Sequence, residues 1–256
     1  MIAELAAMGT VALGAALTLA LLAGVVKGMT GFGLPMILVS GLGSFLSPEL
    51  TLAGMILPAL VTNLFQALRQ GSRAALQSAR MHWRYLATML AFICLGSQFV
   101  RSIPAGLLFL ILGATVTFFA SLQLAGWRPR VSAQHRRPTE IGTGAVAGIL
   151  SGLTGTWGPP TALYLTALGV PRTEHVRIQG AIYGAGAVTL TLAHLQSGVL
   201  SGLGLNLSII LVLPALAGAA AGVAVQDRLD QERFRTLILT VLVLAGLNLV
   251  RRAVWG

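Results

Sequence analysis

Charge is what this chain lacks most. Charged residues make up 9% of its 256 positions, against the roughly 25% that a soluble domain carries to cover its surface. Acids are scarcest, with seven Asp and Glu in all, and Lys27 is the one lysine. One cysteine, Cys94, excludes an intrachain disulfide and any zinc-ligand spacing. What is abundant is apolar: 55% hydrophobic residues and a mean hydropathy of +0.84. Such a chain cannot cover a water-facing surface, so it reads as an integral membrane protein. The net charge of +10 does not point to nucleic acid, because the arginines sit in short connections between apolar runs, as the positive-inside rule requires.

Apolar segments run over 9–26, 34–46, 50–68, 85–100 and 105–125, then over 141–155, 159–169, 178–195, 204–225 and 235–250. The first has no basic region before it, carries Glu4 upstream and is too long for a signal-peptide core, so it is expected to be retained. Segments 34–46 and 159–169 fall short of the roughly 20 residues a span needs. The basic stretches 69–84 and 127–140 are expected in the cytoplasm together, with "PRTEHVR" (171–177) and "QDRLDQERFR". Both termini are then expected outside. Only Arg251 and Arg252 go against the rule.

"GVVKGMTGFGLP" (24–35) aligns with "GILSGLTGTWGP" (148–159). Five of twelve positions are identical: Gly24/Gly148, Gly28/Gly152, Thr30/Thr154, Gly31/Gly155 and Pro35/Pro159. Such self-similarity signals a duplicated half. The expected architecture is an all-α polytopic bundle of 8–10 helical segments in two inverted-topology repeats with broken, short helices. Its parts are a first repeat over 1–126, a basic cytoplasmic linker over 127–140 and a second repeat over 141–256. Matched broken helices in inverted repeats point to a secondary transporter with its site between them. Gly frees the backbone for the turn, and Pro35 and Pro159 suit the first turn of a new helix. Each break then aims free N–H groups and a positive helix end inward, a site for an anion. Close helix packing through Gly-x-x-x-Gly is the plainer reading of the same glycines.

These segments, early in each half of a chain of this length, resemble the TauE/SafE sulfite exporter family. The family often has a Gly-Gly-Gly run before the proline, where this chain has "TGFGLP" and "TGTWGPP", with Phe32 and Trp157 in place of small residues. The resemblance implies transport, without catalysis, of small sulfur-containing or carboxylate anions across a bacterial inner membrane, such as sulfite, thiosulfate, sulfonates or sulfoacetate.

The substrate-binding residues expected are Lys27, Gly28, Thr30, Gly31, Phe32 and Gly33 from the first break. Gly152, Thr154, Gly155, Thr156, Trp157 and Gly158 come from the second. Lys27 either attracts the anion or snorkels to the interface, and its counterpart is Ser151. Asn63, Gln66 and Gln179 bind substrate or pack. His194 relays protons or is simply interfacial, and Glu174 and His175 gate the inner mouth or join a solvated ion cluster with Arg172 and Arg177. No cofactor is expected and no Walker A motif occurs. The partners expected are a small anionic substrate and membrane lipid, with proton coupling and a homodimer left open. The mechanism expected is alternating access, one half rocking against the other. A scaffold subunit, and a serine hydrolase using Ser151 and His194, are the rival readings.

Overall fold

The computed structural model describes residues 9–68, 71–127, 130–170, 172–225 and 231–255. Their order is α1 Thr10–Thr30, α2 Leu34–Leu42, α3 Pro48–Leu68, α4 Ser72–Met81, α5 Trp83–Phe99, α6 Ala105–Leu124, α7 Arg136–Thr154, α8 Gly158–Ala167, α9 Arg172–Gln196, α10 Gly202–Val225 and α11 Gln231–Trp255. Two 3-10 turns, Val100–Ser102 and Ala133–His135, complete the described elements, and no strand occurs among the described residues.

Among the described residues, six stretches are long and apolar enough to cross a bilayer: α1, α3, Trp83–Ser102, α6, α10 and Thr236–Trp255. The outer surface is as greasy as a core, with Leu213 73% and Leu244 63% exposed. A water-soluble monomer rarely shows so much contiguous apolar surface, so the chain is an all-α polytopic membrane protein. The helices α7 and α9 carry charge in their first two turns, at Arg136, Arg137 and Glu140 and at Arg172, Glu174 and Arg177.

The two short helices fold back along the long helices that precede them. On α2, Gly33 faces Val26 and Gly41 faces Leu19, so the chain retraces α1. On α8, Thr161 and Tyr164 return to Tyr85, which also lies beside Gly144 of α7. Nine or ten residues rise only about 15 Å, so each short helix retraces about half of the helix before it.

Packing between lipid-facing helices depends on close backbone approach rather than hydrophobic force. A Cβ on Gly24 or Gly28 of α1 would sit 2.2 Å from the carbonyl oxygens of Ala215 or Ala219 on α10. Gly222 of α10 comes equally near Val25. The same seam joins α7 to α5, where a Cβ on Gly148 or Gly152 would lie 2.5 or 2.7 Å from the carbonyls of Met89 and Ile93. Helices α6 and α11 meet at Gly113 and Gly246.

One end of the bundle gathers the start of α5, the end of α8 and residue 131. There the Val131 amide donates to the Ala167 carbonyl at 2.9 Å, and His82 Nδ1 lies 2.7 Å from the Tyr164 hydroxyl. At the other end Arg101 lies against Gly198, and Gly106 lies near Ala253. Arg252 there donates to the carbonyls of Gly43 and Leu46 at 2.5 and 3.1 Å and covers the Phe109 ring at 4.6 Å. Its place, odd by charge distribution, therefore has a structural cause: it caps the exposed carbonyl end of α2.

Two expectations need adjusting. The stretch 69–84 is not all connection, because Ser72–Met81 forms α4. Its Ala, Leu, Gln, Arg and Met favour helix without a hydrophobic run. The stretch 127–140 is likewise partly helix, since α7 begins at Arg136. Glu140 anchors that start, paired with Arg136 at 2.8 Å and Arg84 at 3.5 Å. Arg69, Arg128, Pro171 and residues 226–230 lie outside the described residues.

Candidate functional site

Both breaks begin alike. α1 ends where Gly31 turns left-handed at φ 78°, its amide donating to the Lys27 carbonyl at 2.7 Å. α7 ends where Gly155 does the same at φ 67°, donating to the Ser151 carbonyl at 2.7 Å. Thr30 sends its hydroxyl back to the Val26 carbonyl at 2.8 Å and accepts the Phe32 amide at 3.3 Å. Thr154 bonds the Leu150 carbonyl at 2.7 Å and accepts the Thr156 amide at 3.3 Å. Gly33 is left-handed too, at φ 97°, and both new helices carry Pro in their first turn.

These bonds use the amides of Gly31, Phe32, Gly155 and Thr156. Among the described residues the amides of Gly33, Leu34, Met36, Trp157 and Gly158 carry no hydrogen bond. They are the unsatisfied donors of helix starts, and all of these residues but Leu34 line one small cavity. Lys27, Phe32, Gly33, Pro35 and Met36 line it from the first hairpin, and Thr156, Trp157, Gly158 and Pro159 from the second. Asn63 of α3 and Tyr183 of α9 complete the wall. It offers about 10 Å³ to the centre of a water molecule, room for one water.

Lys27 supplies the charge. It is 4% exposed, its ammonium donating to Asn63 Oδ1 at 2.5 Å and Gln66 Oε1 at 3.2 Å and standing 5.7 Å from the Tyr183 ring centre. The ion pairs of the described residues involve Glu140 and Glu174, and none reaches Lys27. A buried cation held only by neutral oxygens is costly, and a bound anion would offset that cost. Gln66 adds a second unmatched donor, its Nε2 buried without a partner among the described residues and near Gly31. The aromatic wall is rigid: Tyr183 donates to the Gly158 carbonyl at 3.0 Å, and its ring meets Trp157 edge to face.

The structure therefore brings Lys27, Phe32, Gly33, Pro35, Asn63, Thr156, Trp157, Gly158 and Pro159 together. Thr30, Gly31, Thr154 and Gly155 shape the breaks without lining the cavity. Gly28 and Gly152 sit in the packing seams, their Cα hydrogens against neighbouring backbone. Gln66 reaches the site through Lys27. Gln179 is buried but lies off the cavity. Snorkelling by Lys27 is excluded by its burial. His194 is not interfacial: it is fully buried, its Nε2 3.0 Å from the Gly152 carbonyl, which the break deprives of its helical partner. Ser151 bonds the Ala147 carbonyl and His194 Nδ1 meets Ser197, so these two form no Ser–His dyad. Glu174 is half exposed and pairs with Arg177 at 3.7 Å. Met36 and Tyr183 were not foreseen; the one available signal was an aromatic set among Gly180, Gly184 and Gly186.

A multi-pass helical membrane protein with paired helix breaks around a buried cation has the construction of a solute transporter. The Sulfite exporter TauE/SafE family model matches residues 16–249, and the chain belongs to that family. The family implies a membrane transporter of sulfite-type anions rather than an enzyme. No curated protein matches the chain, and no solved structure does.

Proposed function

We propose that the chain is a secondary transporter in a bacterial inner membrane that carries small sulfur oxyanions, organosulfonates or small carboxylates by alternating access. The anion sits between the two breaks, held by the Lys27 ammonium and by the free amides of Gly33, Met36, Trp157 and Gly158. The observation that carries this reading is Lys27: a cation buried among amide oxygens, facing two helix starts, with no carboxylate beside it. Room for one water in the cavity corresponds to a closed state, and transport opens it to each side in turn.

The matched hairpins and seams support two inverted repeats. The seams also favour moving bodies that follow the packing, α1, α2 and α10 against α5, α7 and α8, in place of one sequence half rocking against the other. The gathering of Arg80, Arg84, Arg136, Arg137 and Arg177 near the His82 end supports placing that end in the cytoplasm.

Uptake of labelled thiosulfate or sulfite into proteoliposomes tests the site. Lys27→Met is expected to lower the initial rate at least tenfold, about 1.4 kcal/mol, with Lys27→Arg keeping part of it and both variants inserting normally. Wild-type rates in Lys27→Met would refute the assignment.

A further inference from the structure

A larger cavity, about 310 Å³, opens at the arginine-rich end, well away from the breaks. Its polar wall is His82, Ser132, Arg136 and Glu174, and aliphatic side chains such as Val131 and Leu168 make up the rest. His82 decides its chemistry. The ring is 2% exposed and stands edge-on to Tyr164, with Nδ1 2.7 Å from the Tyr164 hydroxyl. The tautomer that accepts from that hydroxyl at Nδ1 carries its proton on Nε2. Nε2 is buried and has no hydrogen-bond partner among the described residues. A second buried donor without an acceptor among the described residues, Nε of Arg177, lies one turn from Glu174 and next to Ile178, which lines the cavity. Each acid nearby is already claimed: Glu140 by Arg136 and Arg84, and Glu174 by Arg177. Three guanidinium groups thus face two carboxylates, and unmatched donors remain. Buried donors without acceptors mark a missing acceptor.

We infer that this cavity is a second anion site, which takes a small oxyanion on His82 Nε2, the Arg136 guanidinium and the Ser132 hydroxyl, which otherwise meets His135 Nδ1 at 2.9 Å, independently of the cavity between the breaks. Its position at the mouth of the bundle, beside the returning end of α8, makes it a docking point for anion on the way to or from the inner site. Three guanidinium groups around it raise the local concentration of anions at that mouth.

Calorimetric titration of thiosulfate into the full chain in nanodiscs, with stoichiometry as the readout, tests this. Wild type is expected to bind two ions, Lys27→Met one, and the Lys27→Met/His82→Gln pair none. Ser132→Ala, which leaves the His82–Tyr164 pair untouched, should weaken the remaining site of Lys27→Met several-fold. One wild-type ion lost in His82→Gln but kept in Lys27→Met would support the second site and count against the site between the breaks. No binding to Lys27→Met, or a remaining site indifferent to both His82→Gln and Ser132→Ala, overturns the inference. Unchanged melting of the variants by circular dichroism excludes unfolding as the cause of any loss.

Discussion

His82 lies between α4 and α5, outside the apolar span that begins at Trp83. Burial holds its imidazole below the usual value, and the positive charge of Arg136 adds to this while Glu140 opposes it. A histidine held neutral in the folded state and free to charge in the unfolded one contributes stability above its unfolded value of about 6.5; that contribution is lost as pH falls. The melting temperature of the full chain should therefore drop below about pH 6.5 more steeply than that of His82→Gln. Parallel pH curves for the two would sink this account. Lys27 and His194 make a related point about single side chains. Each carries its polarity into the interior: Lys27 into the cavity that both breaks line, and His194 onto the Gly152 carbonyl that a break has released.

At the scale of elements, the glycines divide into two kinds. Gly31 and Gly155 adopt a left-handed backbone, which costs an L-residue about 1–2 kcal/mol. A Cβ on Gly155 would also run into the Met55 side chain at 1.8 Å. Gly31→Val and Gly155→Val should therefore abolish uptake in a flux assay while insertion persists; normal flux in both would show that the breaks do not form the transport site. Gly28→Ala acts differently, forcing α1 off α10 where a Cβ would meet the Ala219 carbonyl at 2.2 Å. Its expected mark is a loss of about 1–3 kcal/mol of stability from overpacking, read as a lowered melting temperature with anion binding retained in the folded fraction.

The breaks were legible in the sequence because Gly, Thr and Pro act within a few residues of themselves. The left-handed turns at Gly31 and Gly155, the threonine caps and the proline starts all follow from local chemistry. That α2 and α8 fold back was not legible, since a break looks the same whether the chain continues or returns. Nor was the role of Gly28 and Gly152, because their partners on α10 and α5 are distant in the chain. Tyr183 and Met36 escaped for the same reason: which face of a buried helix meets the cavity depends on its neighbours. α4 escaped because its helix-forming residues make no apolar run.

For the whole molecule, the two ends differ in charge. Arg101, Arg251 and Arg252 stand at one, and Arg252 is occupied in capping α2. The rest of the described arginines of 71–84 and 130–137 lie toward the other. Replacing Cys94 with serine leaves a cysteine-free chain in which single cysteines report sidedness. Cysteine at Ser132 should be protected from an impermeant maleimide in right-side-out cells and react after permeabilisation, while cysteine at Ser44 should react from outside. The opposite pattern would invert the proposed orientation.

The glycine seams run from α1 to α10 and from α7 to α5, so each joins a helix near the start of one half of the chain to a helix late in the other. Cut the polypeptide between them, and each fragment is left with a bare groove shaped for a helix it no longer owns. Neither fragment has within itself what would fill that groove. The two sequence-related halves are interlocked like clasped hands, and the pairs that hold tightest are borrowed, one helix from each side.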